Sequence, residues 1–337
     1  MLDPRFFTRA LPRGIAGIGD AWVDRWWDCE RPDELVARIS AAGLELPFSR
    51  TATALYSLID RWDWGPKADQ VMSHYDLGND LFEAMLGPTM AYSCGYWNGA
   101  SRLDEAQTRK FDLVCRKVGL RPGMKVLDIG CGWGTFAKFA AETYGVSVTG
   151  ATISGQQAEF ARTLCRGLPV DIQLKDYRDV SGRFDAVVSI GMFEHVGYKN
   201  YRRFLEIASA RLEPEALLLV HTIGVPVSTR AGNPWITKNI YAGMLPSIQQ
   251  IAAAAEGLFL IEDVHNFGFD YYKTLLEWWK NFEEAWPAMA QKYGDRVYRL
   301  WKFYILSFAG MFKCRHNQLW QIVFSQRGVP GGYVSVR

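Results

Sequence analysis

The chain reads as an α/β protein built on a parallel sheet, with a small helical unit ahead of it. Three observations predict this. Short apolar runs alternate with helical patterns between residues 125 and 222, the rhythm of strands joined by helical crossovers. One run, Lys125 to Ile129, passes directly into glycines spaced G-x-G-x-G at Gly130, Gly132 and Gly134. With 337 residues, 49% hydrophobic and 22% charged, the chain can build one large core plus a small appendage, and extensive disorder is excluded.

Helical patterning covers Ala21 to Trp27 and Glu34 to Ala41, with Pro and Gly punctuation between them. Trp22, Trp26 and Trp27 recur at helical spacing and read as core. From Leu46 the pattern weakens and Gly65-Pro66 breaks it, so a connector is expected there. Residues 1–66 then form the small helical domain with its connector, and 67–337 the main domain. Strands are expected at Lys125–Ile129, Ser147–Ala151, Ile172–Leu174, Ala186–Ile190 and Leu217–Thr222, with helices at Thr135–Tyr144 and Ser154–Arg166, the latter capped by Ser154. Leu275–Trp286 and Arg296–Phe312 read as aromatic-rich helices and Gln318–Ser325 as a closing strand. There is no internal repeat.

Several classes drop out. A net charge of +2 without long Lys/Arg runs gives no footprint for nucleic acid. No stretch approaches the roughly 18–20 consecutive apolar residues of a spanning helix. The start, Met1-Leu2-Asp3-Pro4-Arg5-Phe6-Phe7, lacks a basic segment followed by an apolar one, so no signal peptide is expected. Six cysteines, Cys29, Cys94, Cys115, Cys131, Cys165 and Cys314, are scattered with no C-x-x-C pair; they read as reduced thiols in a cytosol, and no metal site is expected.

The glycine loop is the first chemical signal. A dinucleotide turn reads G-x-G-x-x-G and is followed by an acid at the end of the next strand; here the spacing differs, and Thr152 stands where that acid belongs. The G-x-G-x-G spacing points instead to S-adenosylmethionine, with glycine backbone amides close to the ligand and Asp128 at the strand's end to orient the loop or meet the ligand's ammonium. Gln157, in the first turn after Ser154, can reach back to the same ligand. Glu194 and His195 follow one apolar strand and His221 ends another, at the sheet edge where ligands of such folds bind. Only one of the adjacent pair need face the site. Taken alone, Cys94 and Tyr271 would read as core.

Five motifs stand in a characteristic order: His74-Tyr75-Asp76-Leu77-Gly78-Asn79-Asp80, Tyr92-Ser93-Cys94-Gly95-Tyr96-Trp97, Leu127-Asp128-Ile129-Gly130-Cys131-Gly132-Trp133-Gly134, Gly191-Met192-Phe193-Glu194-His195-Val196-Gly197 and His221-Thr222-Ile223-Gly224. Together they resemble the bacterial cyclopropane-fatty-acyl-phospholipid synthase family, over nearly the whole chain. The resemblance implies a class I, Rossmann-like methyltransferase core and a catalytic domain over 67–337. It also implies that Tyr92, Ser93, Gly130, Gly132, Thr152 and Gln157 hold S-adenosylmethionine, with Tyr177 and Arg178 near the adenine. Cys94, Glu194, His221, Ile223 and Tyr271 are implied to surround a bicarbonate at the reacting centre. An unsaturated phospholipid of the bilayer is the implied substrate, reached by a homodimer associated peripherally with the inner face of the cell membrane.

The chemistry explains the residue types. A sulfonium methyl is electrophilic and an isolated cis double bond is a weak nucleophile, so transfer creates a carbocation that must be kept dry. Aromatic faces stabilise such a cation without trapping it; Phe193, Trp235, Tyr241, Phe267 and Tyr271 are candidates for that wall. A base must then remove a proton so that the ring closes. Three competing readings stand beside this one: a related enzyme giving a methyl-branched or hydroxylated chain, a small-molecule methyltransferase, and a non-catalytic lipid-binding protein.

Overall fold

The computed structural model describes residues 3–43, 78–241 and 243–337. The expected connector from Leu46 to Gly65, the boundary at residue 66 and the His74–Leu77 part of the first motif lie outside these residues.

Among the described residues the strands are β1 (Lys125–Ile129), β2 (Ser147–Thr152), β3 (Val170–Leu174), β4 (Phe184–Ile190), β5 (Leu212–Gly224), β6 (Leu260–Asn266) and β7 (Gln318–Ser325). They form one sheet in the order β3-β2-β1-β4-β5-β7-β6. β1 to β5 are parallel, whereas β7 pairs antiparallel with both β5 and β6. The sheet is therefore mixed, mostly parallel, with one reversed strand. The sequence reading missed β6. Leu260, Ile261 and Val264 on this edge strand are exposed, and Glu262, Asp263, His265 and Asn266 interrupt the apolar run that marks a buried strand.

The helices are α1 (Phe6–Val23), α2 (Pro32–Ala41), α3 (Asn79–Leu86), α4 (Leu103–Lys117), α5 (Thr135–Tyr144), α6 (Gly155–Leu164), α7 (Tyr201–Arg211), α8 (Pro234–Asn239), α9 (Ile248–Ala255) and α10 (Gly268–Lys313). α2 starts on Pro32, whose missing N–H costs nothing in a first turn. The helix expected at Ala21–Trp27 is corrected: α1 begins at Phe6 and stops at Val23. Arg25 takes a positive φ of 60°, and the Trp26 N–H closes onto the Ala21 carbonyl at 2.8 Å. Trp22 is thus buried core, while Trp26 lies beyond the helix, half-buried under the Arg9 guanidinium. The Trp22 indole donates to the Arg299 carbonyl and the Arg299 Nε donates back to the Trp22 carbonyl, both at 2.8 Å, which ties α1 to α10. α10 is in fact two helices in sequence, as expected, joined through Gly294, whose φ of 73° and ψ of 162° are not helical.

Two apolar clusters cover the faces of the sheet. A third, rich in aromatic side chains, joins α1, α3, α8 and α10 to Ile223 and Leu319 at the ends of β5 and β7. α4 turns Leu103, Gln107, Lys110, Val114 and Lys117 inward, a helical stripe that includes two lysines.

Candidate active site

A cavity of about 420 Å³ is lined by residues from the ends of β1, β2 and β4, where the strand order reverses between β1 and β4. The apolar strand β1 delivers Asp128 and the glycine loop to its floor. The Gly130 and Cys131 N–H groups both bond the Ala151 carbonyl at 3.0 Å, fixing the loop to β2. Gly130 and Gly132 have φ values of 81° and 55°, a conformation costly for residues with a Cβ. Their surroundings differ. A Cβ on Gly130 would strike the Met192 side chain at 2.6 Å, whereas one on Gly132 would meet nothing within 4 Å.

All nine residues expected to hold the cofactor line this one cavity: Tyr92, Ser93, Asp128, Gly130, Gly132, Thr152, Gln157, Tyr177 and Arg178. Thr152 Oγ1 donates to Gln157 Oε1 at 2.8 Å, and Ser154 Oγ caps α6 by accepting from the Gln157 N–H. Arg178 is held by Asp176 through two side-chain bonds of 2.8 and 2.7 Å. Burial pushes the Asp128 carboxyl up to about 7, against the pull of Lys110. Its Oδ2 is buried without a partner among the described residues.

The other five expected residues do not line the cavity. They lie behind it, because neighbours in the two site loops face opposite ways: Ser93 lines the cavity while Cys94 is buried 4.0 Å from Thr274 Oγ1 of α10, and His195 lines it while Glu194 turns inward. Glu194 Oε1 accepts the Ile223 N–H at 2.7 Å, so that donor is already engaged. Burial raises Glu194 to about 7, and its Oε2 has no partner among the described residues. On β5, His221 faces Gln321 of β7, whose Nε2 donates to Nδ1 at 3.3 Å. Burial keeps the ring neutral, with its proton on Nε2, and that atom too is buried and unpartnered. Tyr271, its ring 4.6 Å from that of Phe312 and tilted 35° to it, has its hydroxyl held as the neutral phenol by burial, with Cys94 and Glu194 near enough to add to the effect. Glu194 thus bonds Ile223, two residues along β5 from His221, and Tyr271 of α10 lies near enough to Glu194 and Cys94 to feel their charge. Of the expected aromatic wall, Trp235, Tyr241, Phe267 and Tyr271 share one cluster. Phe193 does not, being stacked on Tyr201 at 4.5 Å in the layer beneath the sheet's other helices.

The sequence reading missed Lys110. It lines the cavity, fully buried, and donates to Ser93 Oγ at 2.8 Å. The signal was present: Lys110 stands where the helical period of α4 calls for an apolar residue. Thr274 was missed as well. It accepts from the Gly95 N–H at 3.1 Å and the Trp97 indole at 2.9 Å, clamping the Cys94 loop to α10. Among the described residues no three His, Cys, Asp or Glu side chains are placed to hold a metal, and no helix is long and apolar enough to cross a membrane.

Comparison with known proteins adds three findings. Residues 64–322 match the family model described as mycolic acid cyclopropane synthetase. The chain is similar to a cyclopropane-fatty-acyl-phospholipid synthase of Escherichia coli K12, 46% identical over 98% of this chain and 88% of that protein. Among solved structures it resembles a cyclopropane synthase from Mycobacterium tuberculosis (TM-score 0.73, 30% identity, 78% of this chain and 99% of that one). It also resembles a mycolic acid cyclopropane synthase complexed with SAH and CTAB (TM-score 0.72, 32% identity, 77% and 98%).

Proposed function

Because this chain belongs to the mycolic acid cyclopropane synthetase family, we propose that it transfers a methylene from S-adenosylmethionine to the cis double bond of an unsaturated phospholipid acyl chain, forming a cyclopropane ring. One observation carries the reading: nine residues expected to hold the cofactor line a single cavity, and behind it a dry group presents two unpartnered polar atoms, Glu194 Oε2 and His221 Nε2.

The roles follow from these positions. The cavity would hold the cofactor, which would supply the electrophilic methyl group. In the aromatic cluster, Tyr241, Phe267 and Tyr271 exclude water and face the cation formed when the alkene takes the methyl. The residues also fit a bicarbonate, which would supply an oxygen base of moderate strength. His221 Nε2–H and the Tyr271 hydroxyl would be its donors, and Glu194 Oε2 the acceptor that would orient it. Two donors offset the repulsion between a second anion and an ionised Glu194. The Ile223 N–H acts at one remove, fixing Glu194 rather than the anion.

The same reading includes a homodimer and a peripheral contact with the cytoplasmic face of the membrane, since the substrate chain lies in a bilayer and no described helix spans one. The test incubates the purified protein with unsaturated phospholipid vesicles and S-adenosylmethionine and then weighs the fatty acids. Gain of one CH₂ with loss of the double bond is expected. A product that keeps a double bond or gains a hydroxyl overturns ring formation in favour of a methyl-branched or hydroxylated product, and unchanged lipid overturns the lipid substrate.

A further inference from the structure

α4 buries two lysines on one face, and they are treated differently. Lys117 is paired: Asp263 lies 3.3 Å from its Nζ, and Arg337 and Ser335 complete the same carboxylate's bonds. That is a structural ion pair. Lys110, two turns earlier, has one bond to the Ser93 hydroxyl and forms no ion pair among the described residues. Across the same cavity Asp128 is buried with one carboxylate oxygen unpartnered. Opposite charges buried in one cavity but not joined to each other are costly to keep, since each loses its hydration. A ligand carrying both signs removes that cost. The amino-acid end of S-adenosylmethionine is such a ligand, with an α-carboxylate and an α-ammonium on one carbon.

We propose that Lys110 and Asp128 form a socket for this zwitterion, Lys110 with the Ser93 hydroxyl taking the carboxylate and Asp128 the ammonium. The assignment of Lys110 rests on the cofactor reading above and deepens it. Burial lowers Lys110 to about 7, with Asp128 opposing the shift; an incoming carboxylate restores its charge. Lys110 also bears electrostatically on Cys94 and His221, so the socket sits against the wall that separates the cavity from the dry group.

The experiment is calorimetric titration of the full chain with S-adenosylhomocysteine and with its decarboxylated form, which keeps the adenosine, the sulfur and the amine. The parent is expected to prefer the carboxylate-bearing ligand by about 10- to 100-fold, the range of one or two charge-assisted hydrogen bonds. Lys110→Met, which keeps the aliphatic stem, is expected to lose that preference while binding the decarboxylated ligand as the parent does. If the variant keeps the preference, the socket is overturned and the cofactor reading stands. Should the variant fail to fold, the parent decides alone: equal affinity for the two ligands also overturns the socket. Binding of neither ligand by the parent overturns the cofactor reading, and the socket with it.

Discussion

The cavity and the group behind it are built from the same short loops and bury ionisable groups alike, yet offer a ligand different partners. In the cavity, burial pushes Lys110 and Asp128 both to about 7, so an amine and a carboxyl are poised to take up charge when a ligand of opposite sign arrives, and Asp128 keeps one oxygen free for it. Behind the wall, burial favours the neutral forms of Cys94, Glu194, His221 and Tyr271. An anion arriving there meets donors more than like charge, and a cation forming there meets aromatic faces. The division is achieved at single peptide bonds, Ser93–Cys94 and Glu194–His195, whose two residues face different compartments. A charged ligand and a carbocation can therefore lie within reach of each other without sharing a solvent.

The most direct way to break this comparison is to fill the cavity alone. Gly132→Val is expected to weaken S-adenosylhomocysteine binding by more than about 100-fold, because its side chain grows into open cavity space. The backbone strain at φ 55° costs on the order of 1–2 kcal/mol, which a protein of this size tolerates. Gly130→Val is the poorer test, since its Cβ collides with Met192. Calorimetry with a thermal melt checks both points; a folded Gly132→Val protein that binds normally shows that the loop does not hold the ligand.

Glu194→Gln probes the other side. We expect kcat to fall by about 100-fold, the low end for a group that orients proton removal, with S-adenosylhomocysteine affinity unchanged because Glu194 does not line the cavity. In the parent, burial holds Glu194 up to about 7, so at saturating cofactor kcat should decline as pH drops below that value; the Gln variant should be flat there. A parallel loss of affinity in the variant would mean that the wall does not separate the two functions. Removal of carbon dioxide and bicarbonate acts on the same step. It should lower the parent rate by about 100-fold as well, reversibly on adding bicarbonate, and change the Glu194→Gln rate little. Full activity of the parent without bicarbonate would make Glu194 itself the base.

How much of this was legible in the sequence differs between the two regions for a physical reason. Asp128, Gly130, Gly132, Thr152 and Gln157 occupy strand ends, a glycine loop and a helix start, which periodicity and spacing mark; Tyr92, Ser93, Tyr177 and Arg178 were pointed to only by the combined motifs. Glu194 and His221 were found by the same strand-end rule. Cys94, Ile223 and Tyr271 carry no local signal, since a buried thiol, an apolar residue and a core tyrosine look alike in any protein; only the combined motifs pointed to them. That Glu194 takes the Ile223 N–H, and that Phe193 packs away from the site, depends on which way adjacent side chains turn. In the fold, β6 escaped because an exposed edge strand lacks a continuous apolar run, and α1 was displaced because Pro12, the kink at Gly14 and the glycines Gly17 and Gly19 hid its period.

The smallest expected effect concerns stability. Asp128 and Glu194 both have folded-state values raised to about 7, so between the ordinary carboxylate range near 4 and pH 7 the folded protein binds more protons than the unfolded chain. Stability from these groups therefore falls as pH rises through that window. Lys110 and Lys117 are lowered by burial to about 7 and about 8, so above those values the unfolded chain binds more protons, and stability rises with pH up to the ordinary lysine range. The two trends meet near neutrality. The ligand-free protein should show a shallow minimum in Tm around pH 7, roughly 5 °C deep, which for a chain of this length corresponds to about 3–4 kcal/mol. Saturating S-adenosylhomocysteine should fill much of it, because the ligand pairs Asp128 and Lys110, and the remainder should persist because Glu194 and Lys117 lie outside the cavity. Scanning calorimetry from pH 5 to 10, with and without ligand, measures both parts. A ligand-free Tm that rises steadily through pH 7 would show that the buried charges are already neutralised within the protein, and the contrast between cavity and wall would be one of shape alone.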